Sequence, residues 1–495
     1  MTNETPPISN VLASRYASSD MVGIWSAERK VVLERELWIA VLEAQNELGI
    51  DIPEQVLEAY RSVKEVVDLG SINQRERVTL HDVKARIEEF SSLAGFEHIH
   101  KGLTSRDLTE NVEQLQIKQS LILVRDRVVA VLARLAELAA HHQKTVITGR
   151  SHNVPAQMTT LGKRFANIGQ EMLVAFSRIE ELIERYPLRG LKGPVGTQQD
   201  LLDLFEGDQK KVETLERRVA SQLGFENVMG AVGQVYPRSL DLDVVSSLVQ
   251  AMSPMGNIAL QIRLMAGLDL ATEGFSEGQV GSSAMPHKMN SRSAERINGL
   301  GVVLRGHLTM VSAIAGDQWN EGDVSCSVVR RVALPDAFFA IDGAIETTLT
   351  VLDGFGAYEH AIQRELEHYL PFLATTRILM GAVKAGAGRE EAHEVIKEHA
   401  VAAALSVRET ASGKNDLLAR LASDQRLPLE ELEIQAILQD PEVFIGLADA
   451  QILDFLSSVT KINSKYPGVG SYLSLIHISE PTRQEAISYA VFCLK

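Results

Sequence analysis

Cysteine is nearly absent, with two residues in a chain of 495. That scarcity excludes a disulfide framework and a CxxC-type zinc site, and the expected compartment is the cytosol. No stretch reaches the ~18 continuous apolar residues of a membrane span, and the opening MTNETPPISN lacks the basic-then-apolar order of a signal peptide. Positive charge is in deficit: 49 Lys and Arg face 65 Asp and Glu, a net charge of -16. This balance disfavours nucleic acid or an anionic membrane surface as partner. A small anionic substrate stays open, because it meets only the local field of its pocket. There is no GxxxxGK[ST] loop and no GxSxG elbow. Gly386 and Gly388 follow a helical pattern rather than a strand, so they form no dinucleotide fingerprint. His393 and His399 stand about 240° apart around a helix, which excludes an i, i+4 metal pair. Neither βαβ alternation nor an internal repeat is visible.

What is present is an ordinary globular mix, 45% hydrophobic and 23% charged. At ~100–200 residues per domain the length allows two to four domains. Between Leu103 and Thr148 there is neither Gly nor Pro, and Leu108, Val112, Leu115, Leu121, Val124, Val128, Val131, Leu135 and Leu138 recur at helical spacing. A helix of roughly 40 residues runs about 60 Å. One modest subunit cannot cover such a rod, so the pattern predicts a bundle shared between chains. Similar patterns run from Ala156 to Tyr186, from Leu240 to about Leu270 and from Val328 to Leu352. Leu33, Leu37, Val41, Ala44 and Leu48 mark another apolar face. After Tyr358 the helices shorten, with breaks at Pro371, Gly386, Gly413, Pro428 and Pro441. The reading is all-α: an N-terminal helical domain over 1–104, a long central bundle over 105–357 and a C-terminal helical domain over 358–472. From Leu473 the chain reads LSLIHISEPTRQEAISYAVFCLK, which resembles translated sequencing-adapter DNA, so 473–495 is set aside as a non-native tail.

Chemistry concentrates in loops. Gly278–Arg296, GQVGSSAMPHKMNSRSAER, brings a Gly-Ser-Ser turn, a lysine and an asparagine together before a helix. Arg150–Arg164, RSHNVPAQMTTLGKR, places one histidine among small polar residues. The first stretch resembles the signature loop of the fumarase/aspartase superfamily, whose members cleave C–N or C–O bonds and release fumarate. The resemblance implies that Ser282 is the general base, with Lys288 and Asn290 holding the substrate carboxylate and the carbanion-like intermediate. It implies that His152 protonates the leaving nitrogen and that Glu295 orients it, while Thr159 and Thr160 are candidates to bond the carboxylate. Such chemistry needs these groups: a proton beside a carboxylate is weakly acidic, so fixed donors must meet the developing charge in a dry site. A serine serves as base only where N–H groups and a cation stabilise its oxyanion.

Over about Ala13 to Ser464 the resemblance sharpens to the adenylosuccinate lyase family. Arg15 and Tyr16 resemble its Arg-Tyr pair for the nucleotide phosphate, a fork and a phenol suited to that anion. His81-Asp82 matches a His-Asp near phosphate, ribose or base, and His81 also counts among the catalytic candidates. Thr104-Ser105 matches a pair that holds a succinyl carboxylate, and also suits a helix N-cap. Gln198, in PVGTQ before LFEGD, matches the substrate glutamine; Arg296, Ser327 and Arg331 match phosphate-side residues. Two departures stand out. Ser291 replaces the usual Pro after Asn, and Gly322 replaces an arginine, with Arg330 as its candidate substitute. The resemblance implies a fumarase-like homotetramer with sites shared between subunits, cleaving adenylosuccinate and the succinyl-carboxamide imidazole ribotide (SAICAR) without metal or organic cofactor. With the acidic charge balance, the expectation is no nucleic-acid or membrane partner. A different fumarate-releasing lyase would not need Arg15, Tyr16, Arg296 and Arg331. A bundle retained only as a structural protein would not need Ser282, His152 and Lys288.

Overall fold

The computed structural model describes residues 9–274, 285, 287–410, 413, 415–439 and 441–474. Five long helices dominate: α1 (Ser105–His141), α2 (Leu161–Arg185), α3 (Ser239–Ala266), α4 (Arg292–Ile314) and α5 (Cys326–Gly354). They pack as one bundle, with α1 against α2 and α5, and α3 against α2, α4 and α5. The expected gap-free helix is there, 37 residues long, a rod of about 56 Å. Its start is fixed locally. Thr104 and Asp107 form a reciprocal capping box that satisfies donors of the first turn. In α5 every residue from Ala337 to Leu349 is buried, so it runs through the core of the bundle rather than along its face.

One expectation needs correcting. The pattern from Ala156 to Tyr186 reads as a single helix, but Val154–Thr160 is a strand (β2) paired antiparallel with Val146–Ser151 (β1), and only Leu161 onward is helical. The β-branched residues Val146, Ile147, Thr148, Val154, Thr159 and Thr160 favour the pleated state. The connection is two residues long: Ser151 pairs with Val154, and His152 and Asn153 both take positive φ, 52° and 63°. That is the geometry of a type I′ hairpin turn.

Ahead of the bundle come Ala27–Glu47, whose Leu33, Leu37 and Val41 are buried, and Asp82–Ala94. Both join the main core. A separate apolar core gathers Ile378, Ala382, Val395, Ile396, Leu417, Leu421 and Ile434 from the shorter helices after Leu373. The chain then returns to the bundle: Arg134 donates to the Gly470 and Tyr472 carbonyls, and Arg127 lies over the Tyr472 ring. Of the expected tail, residues 475–495 lie outside the described residues. The helix α4 is long and apolar enough to cross a membrane by length and composition, yet it packs between α3 and α5.

Candidate active site

The start of α1 gathers one group of candidate residues. His81 is the N-cap of Asp82–Ala94: its Nδ1 accepts from Lys84 N at 3.3 Å, and its Nε2 lies 3.5 Å from Ser105 Oγ. With Nδ1 as acceptor, the neutral ring carries its proton on Nε2, facing Ser105. Burial would raise the Asp82 carboxyl, but Arg86 at 2.6 Å and the Val83 N–H hold it below the usual carboxylate range. Thr104 spends its hydroxyl as the cap of α1, as its sequence context suggested.

Asp107, fully buried, ties a second loop to this point. Its Oδ2 accepts from Thr104 N at 2.8 Å; its Oδ1 accepts from Arg189 Nη1 at 2.7 Å, Lys192 N at 2.8 Å and Gly193 N at 3.1 Å. That loop ends at Gln198, which sits at φ 57° with Nε2 donating to Leu191 O at 2.8 Å and Glu216 Oε1 at 3.3 Å. Both amide hydrogens are thus committed, and the carbonyl oxygen is what Gln198 can offer a ligand. Asp107 escaped the sequence reading because an acid at the third helical position looks like an ordinary capping residue. His100 escaped it too. Its Nδ1 accepts from Trp38 Nε1 at 3.1 Å, and burial, aided by His81 and opposed by Asp107, pulls it down to about 4. It is therefore neutral at pH 7.

The phosphate-side candidates divide. Arg106 Nη2 donates to Ser327 Oγ at 3.4 Å, linking Ser327 to the same end of α1. Arg331 is exposed one position beyond Arg330. Arg330 is no substitute for a phosphate ligand. It is 2% exposed, with Nε on Asp241 at 2.8 Å, Nη1 on Glu113 at 2.6 Å and Nη2 donating to the Tyr236 hydroxyl. Such a buried, fully paired guanidinium belongs to the core. Gly322 has a steric reason: a Cβ there would lie 2.7 Å from Gln234 Cβ. Ser291 keeps a φ of -81°, within the range proline adopts, so the departure leaves the backbone course intact.

Arg15 and Tyr16 end a short helix, Val11–Arg15, that docks on α5, and the Arg296 guanidinium lies 5.9 Å from the Tyr16 ring centre. Asn10 donates to Asp336 at 2.6 Å and Ser18 N donates to Asp342 Oδ2 at 2.6 Å. Between them a Cβ on Gly343 would come within 2.8 Å of Tyr16 Cβ, so glycine is what lets the arm lie flat. Burial pushes Asp342 up to about 6; the Ser18 N–H lowers it and Glu346 raises it further.

The remaining candidates stand elsewhere. His152 is exposed at the hairpin tip, and the hairpin packs on Glu359–Leu373, where Arg150 pairs with Glu365. Lys288 and Glu295 are exposed and Asn290 half-buried at the start of α4. Among the described residues no hydrogen bond or ion pair joins His152 to Glu295. Thr160 is buried and caps α2, its Oγ1 accepting from Lys163 N at 3.0 Å. Ser282 lies outside the described residues. Glu273 was missed by sequence reading: Oε1 accepts from Ser293 N at 2.9 Å and Oε2 from Ala294 N at 2.8 Å. One carboxylate thus caps α4 from a position five residues before the signature segment. Its signal was weak, since an acid so far from the helix it caps has no local pattern. Among the described residues no cluster of His, Cys, Asp and Glu could hold a metal ion.

Known proteins resemble this chain along most of its length. Residues 14–306 match the family model described as Lyase, and residues 371–455 match the one described as Adenylosuccinate lyase C-terminus. The adenylosuccinate lyase of Saccharomyces cerevisiae is 35% identical over 460 residues, covering 92% of this chain and 94% of that protein. That of Schistosoma mansoni is 34% identical over 468 residues, covering 94% and 96%. Among solved structures, 3-carboxy-cis,cis-muconate lactonizing enzyme from Pseudomonas putida superposes with a TM-score of 0.79 at 20% identity, over 92% of this chain and 100% of that one. A fumarate lyase from Mesorhizobium sp. BNC1 gives 0.77 at 22% identity, over 91% and 100%. These two share the fold, fumarase/aspartase-like and all-α in its core. The near-complete coverage by relatives above 30% identity settles membership: the chain belongs to the adenylosuccinate lyase family.

Proposed function

We propose that this chain cleaves adenylosuccinate to AMP and fumarate, and SAICAR to its carboxamide and fumarate, two β-eliminations of purine biosynthesis. The observation that carries the reading is the likeness, over nine-tenths of the chain, to proteins named adenylosuccinate lyase. In this mechanism Ser282 removes the proton from the carbon beside the carboxylate, and the electron pair forms the new C=C bond as the C–N bond breaks. His152 delivers a proton to the departing nitrogen, with Glu295 orienting it. Lys288 and Asn290, with Ser105 and the Gln198 carbonyl, meet the succinyl portion; Thr104 keeps the start of α1 in place. His81 and Asp82 face the leaving group or ribose, and Arg15, Tyr16, Arg296, Ser327 and Arg331 take the phosphate. Neither metal nor organic cofactor enters any step.

The acting unit is a homotetramer with each site assembled from several chains. Two observations support this. His152 has no bonding partner among the described residues of its own chain. Leu260 on α3, Val302 on α4 and Val328 and Val332 on α5 are all at least 45% exposed, apolar side chains that neighbouring bundles would bury. The domain limits follow the same division, 1–104, 105–357 and 358–472, and the compartment is the cytosol. The test is ultraviolet absorbance of adenylosuccinate with the full chain, with Ser282→Ala and with a chain ending at Tyr472. Turnover lost only in the serine variant is expected. Fumarate released from another amino-acid adduct, with adenylosuccinate untouched, would overturn the substrate.

A further inference from the structure

The first turn of α2 reads Leu-Gly-Lys-Arg, with no acid in it. A helix N-terminus carries partial positive charge, and each cation placed there costs about 0.3–1 kcal/mol. Capping does not explain Lys163 and Arg164. The turn's N–H groups are already satisfied, Leu161 N by Thr145 O at 2.8 Å, Gly162 N by His142 O at 2.9 Å and Lys163 N by Thr160 Oγ1 at 3.0 Å. Instead both side chains line a cavity of about 500 Å³ between the hairpin, α2, the end of α3 and Glu359–Leu373.

A third cation, Arg150, lines the same cavity, and its one acid, Glu365, is already paired with Arg150. These two side chains are only 18% and 12% exposed. Three cations against one carboxylate leave two positive charges in a half-enclosed space. Arg164 has five donor hydrogens but a single hydrogen bond, to Thr148 O at 3.4 Å. Burial lowers its proton affinity, Glu365 offsets part of that and Arg150 adds to it. The Lys163 ammonium has no partner among the described residues. Desolvated cations without counter-charge are costly unless something pairs them. The Asn167 and Gln261 amides supply neutral donors on the same walls.

We propose that this cavity binds a compact dianion, a dicarboxylate or a phosphate, held by Lys163 and Arg164 with Arg150 at its edge. Of the candidate substrate residues only Thr159 lines it; His81, Ser105, Gln198, Lys288, Arg296 and Ser327 do not, and on that ground we take it as a second site. The inference does not depend on which substrate is turned over.

Calorimetric titration of the full chain with succinate, and separately with inorganic phosphate, tests it; each is run with and without saturating AMP plus fumarate. Saturable binding of one probe should persist with AMP and fumarate present. It should weaken about tenfold or more in Lys163→Gln, the loss of one charge-assisted contact, and return in Lys163→Arg, with turnover retained in both. Which probe binds separates the carboxylate from the phosphate source. Three results would each overturn the proposal. One is equal affinity in wild type and Lys163→Gln. Another is disappearance of the signal with AMP and fumarate, which would make the cavity part of the substrate site. The last is a smaller assembly in Lys163→Gln with no anion heat in the parent, which would mean that an acidic side chain of a second copy fills the space.

Discussion

The start of α1 and the tip of the β1–β2 hairpin carry candidate residues of equal chemical weight, yet they are built in opposite ways. At the first, Asp107 alone makes four hydrogen bonds of 2.7–3.1 Å that lock the helix cap and the Gln198 loop together. At the second, His152 stands exposed on a two-residue turn that a single Arg150 Nη1 to Asn153 O bond of 3.3 Å spans. A group finished within its own chain needs a rigid scaffold. A group whose partners come from elsewhere needs reach. The contrast fits the proposal that one chain presents a preorganised half-site and that assembly completes it.

The sharpest way to break the contrast is at the bare end. His152→Gln should lower kcat by about 10²–10⁴, the usual worth of a general acid, while leaving the thermal midpoint unchanged, because no described residue bonds to the ring. Steady-state kinetics beside a melting curve checks both halves of that statement. The built end should respond the other way. Asp107→Ala leaves Arg189 buried without its counter-charge and should cost about 3–5 kcal/mol of stability, read by denaturant unfolding. If that variant kept its midpoint, the locked half-site would be a misreading.

A smaller effect comes from Asp342, which holds the arm bearing Arg15 and Tyr16. Its carboxyl is raised from 3.8 to about 6 in the folded chain. The folded state therefore binds the proton more tightly, and the protein loses stability as pH rises from about 4 to about 6, by at most about 3 kcal/mol. Asp342→Asn should flatten that slope, so unfolding of the two proteins from pH 4 to pH 8 should converge at the acid end and diverge above pH 6. Smallest is Glu273→Ala. Loss of its two N–H contacts at the start of α4 should cost about 1 kcal/mol and reduce turnover more than stability, since the same carboxylate stands five residues before the signature segment. Circular dichroism melts beside initial rates would separate the two.

Much of this was visible in the residues. The gap-free run after Leu103 showed a long helix, and Thr104-Ser105 suited the N-cap where it starts. The order PVGTQ…LFEGD and the Gly-Ser-Ser loop have no packing reason and so pointed to a site. What stayed hidden depended on contacts far apart in sequence. The hairpin is an example: β2 shares its apolar count with the helix it leads into, and only pairing with β1 separates them. The core role of Arg330 was invisible because its partners, Asp241 and Glu113, lie on other helices. Glu273 escaped for the same reason, as a cap supplied across a loop.

The most direct test of the central claim is complementation between two inactive proteins, His152→Gln and Ser282→Ala, each purified separately, then mixed, dissociated and reassembled. If the site is assembled from different chains, mixed tetramers contain some sites with both native residues, and adenylosuccinate turnover returns on mixing. If the two residues act within one chain, every site in the mixture stays defective, and the absorbance does not change.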